Sequence, residues 1–301
     1  MEVELVYALA LVPAVLWGFS PILSKRGMSG GGSSLQASLT VVVVDSSLYW
    51  VALFALQGLA VFASVTPASA ALFLASGLVG TALGRLAVFV GVDRVGASVN
   101  SAVISTRPLF ASLLAVLALG ETVTPTTVVG IVVLVGGLTA LALSRGGDVG
   151  GWQPRDLLFP LAAAAAFAVG NVARKFGLDA FAEITLLEAV ALNELGALVA
   201  LTAYAVVAGR GDVLDAPRRT YAYFAGSGTL TAVALLSLFA ALGIGRVVVV
   251  DPLAATAPLF TAVFAAVFLR DLERVTRRLV AGAVLVVVGV ALIVGDPSVV
   301  L

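Results

Sequence analysis

Ten apolar runs, each long enough to cross a bilayer, divide this chain and decide its fold class before any motif is considered. They fall at 5–24, 35–63, 68–91, 98–119, 126–143, 157–173, 183–208, 220–242, 247–269 and 275–295. A helix needs roughly 20 residues to span the hydrocarbon core, so runs of this length read as transmembrane helices. Composition agrees: 61% of residues are hydrophobic and 11% charged, against about 45–50% and about 25% in soluble domains. The expected fold is an all-α, multi-pass membrane protein with ten transmembrane helices.

The runs are not independent of one another. Arg107-Pro108-Leu109-Phe110 in the fourth run returns as Ala257-Pro258-Leu259-Phe260 in the ninth, 150 residues later. Lys25 and Gly27 fall on Lys175 and Gly177 at the same offset. Duplication is the simplest reading. Residues 144–156, with four glycines, a proline and four charges, form the expected linker between a first repeat at 1–143 and a second at 157–301. Each repeat holds five runs. Five is odd, so the second repeat enters the membrane from the opposite side, giving two inverted five-helix repeats. That arrangement recurs in secondary transporters, whose substrate sites lie near the midplane where the repeats meet.

Charge and rare residues remove several function classes. Net charge is zero, which gives no footprint for nucleic acid. With no cysteine and no histidine, thiol chemistry, imidazole metal sites and histidine proton relays are excluded, and neither a metal nor a cofactor is expected. The Met1-Glu2-Val3-Glu4 start lacks the basic region of a signal peptide, so the first run is expected to remain as a span. Loops after the odd-numbered runs carry twelve basic residues, namely Lys25, Arg26, Arg94, Arg145, Arg155, Arg210, Arg218, Arg219, Arg270, Arg274, Arg277 and Arg278. The other loops carry three: Arg174, Lys175 and Arg246. By the positive-inside rule this count places both termini outside.

The sequence Pro108 to Leu114, then Leu119-Gly120-Glu121 and Thr124-Pro125 opening another apolar helix, resembles the fourth and fifth spans of the EamA-like family of the drug/metabolite transporter superfamily. The second copy, Pro258-Leu259-Phe260 followed by Arg270-Asp271, is similar but lacks the Gly-Glu pair. The resemblance implies a cell-membrane transporter of small organic solutes, often an exporter. It also implies a central cavity between the repeats, with the fifth and tenth spans at the periphery. Both termini would then be cytoplasmic, opposite to the charge count.

Ionisable groups inside the runs are the most informative positions, since each costs roughly 2.5 to 3.5 kcal/mol at a helix centre. Five stand there: Asp45, Arg85, Arg107, Glu188 and Glu194. Asp45, Arg85 and Arg107 sit at similar depths counted from one membrane side, so Asp45 is expected to pair with one arginine. The other guanidinium is left either for helix packing or for a carboxylate or phosphate of the substrate. Asn100 lies seven residues before Arg107 and shares its helical face. In the second repeat Asn171 ends the sixth run, while Glu188, Asn193 and Glu194 occupy the seventh with no buried arginine expected beside them. Glu194 is near the midplane and is the first candidate for proton coupling; Glu188, nearer the surface, is the second. Trp17 and Ser20 share a face beside Pro21 and suit a binding wall, although a tryptophan can also be an interfacial anchor.

The substrate-binding candidates are therefore Trp17, Ser20, Asp45, Arg85, Asn100, Arg107, Asn171 and Asn193, and no catalytic constellation appears; Asp251 and Asp271 lie near span ends and form no paired-acid motif. The expected function is secondary transport of an amino acid, metabolite or drug-like solute by alternating access, with export and proton coupling as its finer form. Expected partners are the solute and the lipid bilayer, with a homo-oligomer also open. The alternatives are a flippase for a lipid-linked metabolite and a non-transporting assembly protein.

Overall fold

The computed structural model describes residues 2–58, 63–143, 151–268 and 277–296. The first part of the expected linker, 144–150, lies outside them, as do 59–62 at the end of the second run and Arg145, Arg270, Asp271 and Arg274. Among the described residues the structure is helical and holds no strand. The helices are α1 (Glu2–Ser29), α2 (Ser34–Gln57), α3 (Pro67–Gly77), α4 (Gly84–Ile104), α5 (Arg107–Leu119), α6 (Pro125–Leu143), α7 (Leu158–Ala180), α8 (Leu186–Val207), α9 (Arg218–Ile244), α10 (Val247–Ala254), α11 (Ala257–Phe268) and α12 (Arg277–Val294). A π-helical turn, Leu78–Leu83, joins α3 to α4. Among the described residues nine helical stretches are long and apolar enough to cross a membrane, and Val280–Val294 is a shorter apolar helix.

Short polar residues start these helices. Ser33 caps α2 and Gln36 returns a hydrogen bond to the Ser33 amide; Thr66 with Ser69 does the same for α3, and Thr185 with Glu188 for α8. Each such box satisfies two backbone donors that would otherwise be orphaned, worth about 1 kcal/mol per cap. Between the third and fourth runs the chain turns at Gly96, whose φ of 81° a side chain would resist.

The fourth and ninth runs are not continuous helices. Each breaks just before its Pro-Leu-Phe, at Ser105-Thr106 and at Ala255-Thr256, because a proline ring cannot accept the preceding helical turn. The two breaks are built alike. Thr106 Oγ1 donates to the Val103 carbonyl at 2.6 Å, and Thr256 Oγ1 donates to the Leu253 carbonyl at 2.7 Å. The backbone amides of Leu109 and Leu259 then restart the helix on the carbonyls of Thr106 and Thr256, both at 2.9 Å.

Packing follows the glycines. A Cβ at Gly77 would lie 1.7 Å from the Asn193 carbonyl oxygen, and one at Gly80 would lie 2.5 Å from the Gly170 Cα. Backbones of α3 and the π-turn thus press directly on α8 and α7, as small residues permit in membranes. The pair α6 and α12 meets through Gly137 against Gly282 and Gly130 against Gly289, and contributes nothing to the central cavity described below. Large apolar side chains face outward on several helices, including Val51, Leu117 and Val206. A water-soluble monomer rarely exposes such surface in contiguous patches; here it is the face turned to lipid.

Gly77→Val should lower the thermal denaturation midpoint and folded yield in detergent sharply, since overpacking costs about 1–3 kcal/mol even where neighbours can yield. Gly136→Ala, at a position with no neighbour within 4 Å, should leave both unchanged. Equal effects would contradict the packing described.

Candidate functional site

A cavity of about 250 Å³ lies at the centre of the bundle, lined by Trp17, Gly80, Thr81, Arg85, Arg107, Phe167, Asn171, Arg174, Glu194, Thr231, Leu235 and Leu238. It shares Trp17, Arg85 and Thr231 with a second chamber of about 450 Å³. That chamber runs past Ser20, Ser24 and Phe89 toward Met28 and Ser34, at the end of the bundle holding the α1–α2 turn. We call this the mouth.

The opposite end is closed by hydrogen bonds between the N-terminal and C-terminal parts of the chain. The Val247 amide donates to Glu121 Oε1 at 2.8 Å and the Val248 amide to Glu121 Oε2 at 3.0 Å. A carboxylate from the α5–α6 turn thereby caps the first turn of α10, where free amides and the helix dipole favour an anion. Arg246 donates to the Thr122 carbonyl at 2.6 Å, Thr124 bonds Asp296, and Tyr7 donates to the Val294 carbonyl at 3.0 Å.

Around the cavity the polar side chains form one connected set. Arg174, on α7, is 4% exposed and spends its donors on three partners. Its Nε reaches Asn193 Oδ1 at 3.0 Å, Nη1 reaches Asn171 Oδ1 at 2.7 Å, and Nη2 reaches Thr81 Oγ1 at 2.9 Å. The guanidinium also stacks over Phe239, 5.5 Å from the ring centre. Asn171 passes the connection on by donating to Asp251 Oδ1, and Arg107 Nε donates to Asp251 Oδ2 at 3.2 Å. On the other side Asn193 Nδ2 donates to Glu194 Oε1 at 2.9 Å, and Ser76 Oγ is 2.8 Å from Asn193 Oδ1. Beyond Glu194 lies Asp45, fully buried, with the Arg85 guanidinium acting electrostatically on both carboxyls.

Several expectations are corrected by this geometry. Asp45 makes no ion pair with Arg85 or Arg107; the partner of Arg107 is Asp251, which the sequence reading placed at a span end. Asp251 is fully buried, and the signal for it was present: it stands between Val247–Val250 and Pro252–Ala255 without another polar residue. The C-terminal half does bury an arginine, Arg174, which was counted as a loop residue because it adjoins Lys175. The helix continues to Ala180, and its spacing of three from Asn171 marks their common face. Removing Arg174 from the loop count leaves Lys175 and Arg246 at the sealed end.

Of the expected site residues, Trp17, Arg85, Arg107, Asn171 and Glu194 line the cavity, and Ser20 lines the chamber leading to it, with its Oγ 2.5 Å from Ser227 Oγ. Asn193 holds Arg174 from behind. Asn100 lies elsewhere. The break at Ser105-Thr106 separates its face from that of Arg107, and its Oδ1 packs against Gly91. Glu188 is spent on the α8 cap, accepting from the Thr185 amide at 2.7 Å and from Ser64 Oγ at 2.7 Å. Thr81, Arg174, Thr231 and Asp251 are the members the sequence reading missed.

The model of the EamA-like transporter family matches this chain twice, over residues 5–143 and 155–295. The chain belongs to that family. As an EamA-like protein of the drug/metabolite transporter superfamily it is a multi-pass membrane transporter of small solutes. Solved structures match as well: one crystal structure, 17% identical, superposes with a TM-score of 0.76 over 95% of each chain, which establishes a shared fold. No curated protein matches the chain. In this EamA-like transporter the cavity, its mouth and the arginine-centred network between α5, α7, α8 and α10 are the site to be explained.

Arg107→Leu or Asp251→Leu alone should destabilise the protein strongly, because stranding one member of a buried pair costs about 3–5 kcal/mol. The double replacement Arg107→Leu with Asp251→Leu should cost much less than the sum of the single replacements. Thermal denaturation of all three variants in detergent checks this; additive losses would contradict a direct pair.

Proposed function

We propose that this protein is a secondary transporter of the cell membrane, built as ten spans in two inverted repeats, that exports a small polar solute by alternating access. The observation that carries the reading is the cavity's asymmetry: a mouth at one end, hydrogen-bonded closure at the other, and charged side chains in between. The matching breaks at Ser105-Thr106 and Ala255-Thr256 supply places where the two repeats flex as the mouth closes and the sealed end opens.

Arg85 is the guanidinium left for the solute. Arg107 is engaged by Asp251 and Arg174 by Asn171, Asn193 and Thr81, whereas Arg85 borders both chambers. It presents a planar fork suited to a carboxylate or phosphate. Trp17 and Phe167 offer flat apolar walls beside it. Glu194 Oε1 lies across the same cavity, and a donor group of the solute that engages this carboxyl displaces a proton from it. Solute leaving against proton entry follows from that exchange. The polar lining favours a solute over a lipid-linked metabolite.

The test is transport in liposomes containing the purified protein, with a panel of amino acids, sugars and phosphorylated metabolites. A substrate should give saturable flux accompanied by proton movement, and Arg85→Gln should reduce it by about ten- to a hundredfold, the value of a lost charge-assisted contact. Channel-sized currents, or unchanged flux in Arg85→Gln for every substrate found, would overturn the reading.

A further inference from the structure

The Asp45 and Glu194 carboxyls pose a question that the network around them does not answer. Both residues are fully buried. They come from α2 and α8, and Val42 and Ala197, one turn away on each helix, pack in the same small cluster with Ala82 and Leu201. Each carboxyl is within reach of the other, and the Ser46 amide and the Arg85 guanidinium are further polar neighbours of Asp45. Yet neither oxygen of Asp45 receives a hydrogen bond, and neither does Oε2 of Glu194. Three acceptor atoms of these two neighbouring carboxyls therefore lack a donor, in a medium where an unmet polar group is costly.

The surrounding charges do not remove the problem. From α7, Arg174 gives its donors to Asn171, Asn193 and Thr81. From α5, Arg107 is turned to Asp251 of α10. Tyr49, on α2, donates to the Ala232 carbonyl at 2.5 Å. From α4, Arg85 acts on both carboxyls through space, with no hydrogen bond to either. From α9, Thr231 lines the cavity that Glu194 borders. Two ionised carboxylates side by side would repel with nothing between them, whereas one proton makes one carboxyl the donor the other lacks.

We propose that Asp45 and Glu194 together form a single proton-binding site, holding one proton between the two carboxyls. The pair, and not Glu194 alone, is then the unit that takes up and releases the proton. Release passes the proton from the pair to water in the cavity that Glu194 borders, leaving two carboxylates; uptake reverses the step. Asp45 lies behind Glu194 and touches no solute, so its part is to hold the proton where Glu194 can deliver it. The use of this proton for coupling rests on the transport reading above; its presence does not.

The experiment is infrared spectroscopy of the purified full chain in lipid at neutral pH, where exposed carboxyls are ionised and only a protonated buried carboxyl gives an acid C=O band. Wild type should show one such band. Carbon-13 labelling of aspartate and, separately, of glutamate should each shift or reshape it, and Asp45→Asn and Glu194→Gln should each abolish it. Absence of the band in wild type would overturn the proposal. So would sensitivity to only one of the two labels, persistence of the band in both variants, or its loss in only one. The labelling arm needs no variant and decides the case if a substitution prevents folding. A shared band in a protein that moves no solute would leave the pair standing and defeat the transport reading instead.

Discussion

The structure depends on a buried arginine whose three guanidinium nitrogens are each hydrogen-bonded. Arg174 lies among helices where an unmatched guanidinium would cost several kcal/mol. Asn171, Asn193 and Thr81 make the position tolerable, and they come from three separate parts of the chain. Meeting the donors of one side chain therefore fixes α7, α8 and the π-turn relative to one another. The glycine contacts act in the same place: Gly80 lets the π-turn approach Gly170, one turn from Arg174. Close backbones shorten the reach of Thr81 to the guanidinium, so packing and polar satisfaction support each other.

From that fixed centre the network runs outward in two directions with different chemistry. Toward α10 it ends in the Arg107–Asp251 pair, where opposite charges meet and the geometry is closed. Toward α2 it ends in two acids, where the geometry is open to a proton. Both ends border or back the same cavity, which has one mouth. The sealed end is held by contacts of another kind, backbone amides of α10 on Glu121 and carbonyl-directed bonds from Arg246 and Tyr7. Such bonds lie at the end of the bundle, where water can take their place when they part.

Much of the fold was legible in the sequence because bilayer thickness turns run length into structure, and because Pro108 and Pro258 announce the same break twice. The site was less legible, for reasons traceable to particular residues. Depth was counted along straight helices, which put Asp251 near a surface and set Asn100 on one face with Arg107. The Ser105-Thr106 break invalidates the second inference, and the unbroken apolar flanks of Asp251 argue against the first. Arg174 was hidden by its charged neighbour Lys175, which is bonded to Asp179 one turn on, while Arg174 points inward. The burial of Glu194 was anticipated from its depth; its neighbour Asp45 was assigned to an arginine, because nothing in a linear sequence shows that α2 meets α8.

The central claim is that the cavity has access to one face of the membrane at a time. The chain has no native cysteine, so single thiols can be placed without background. The most direct measurement is the labelling of Thr231→Cys, at the junction of the two chambers, by a membrane-impermeant maleimide applied to either face of oriented vesicles. It is compared with and without a bifunctional thiol reagent joining Thr122→Cys to Arg246→Cys across the sealed end. The account predicts labelling from both faces in the free protein and from the mouth face alone once the sealed end is tied. Labelling from one face only, whether or not that end is tied, would contradict it.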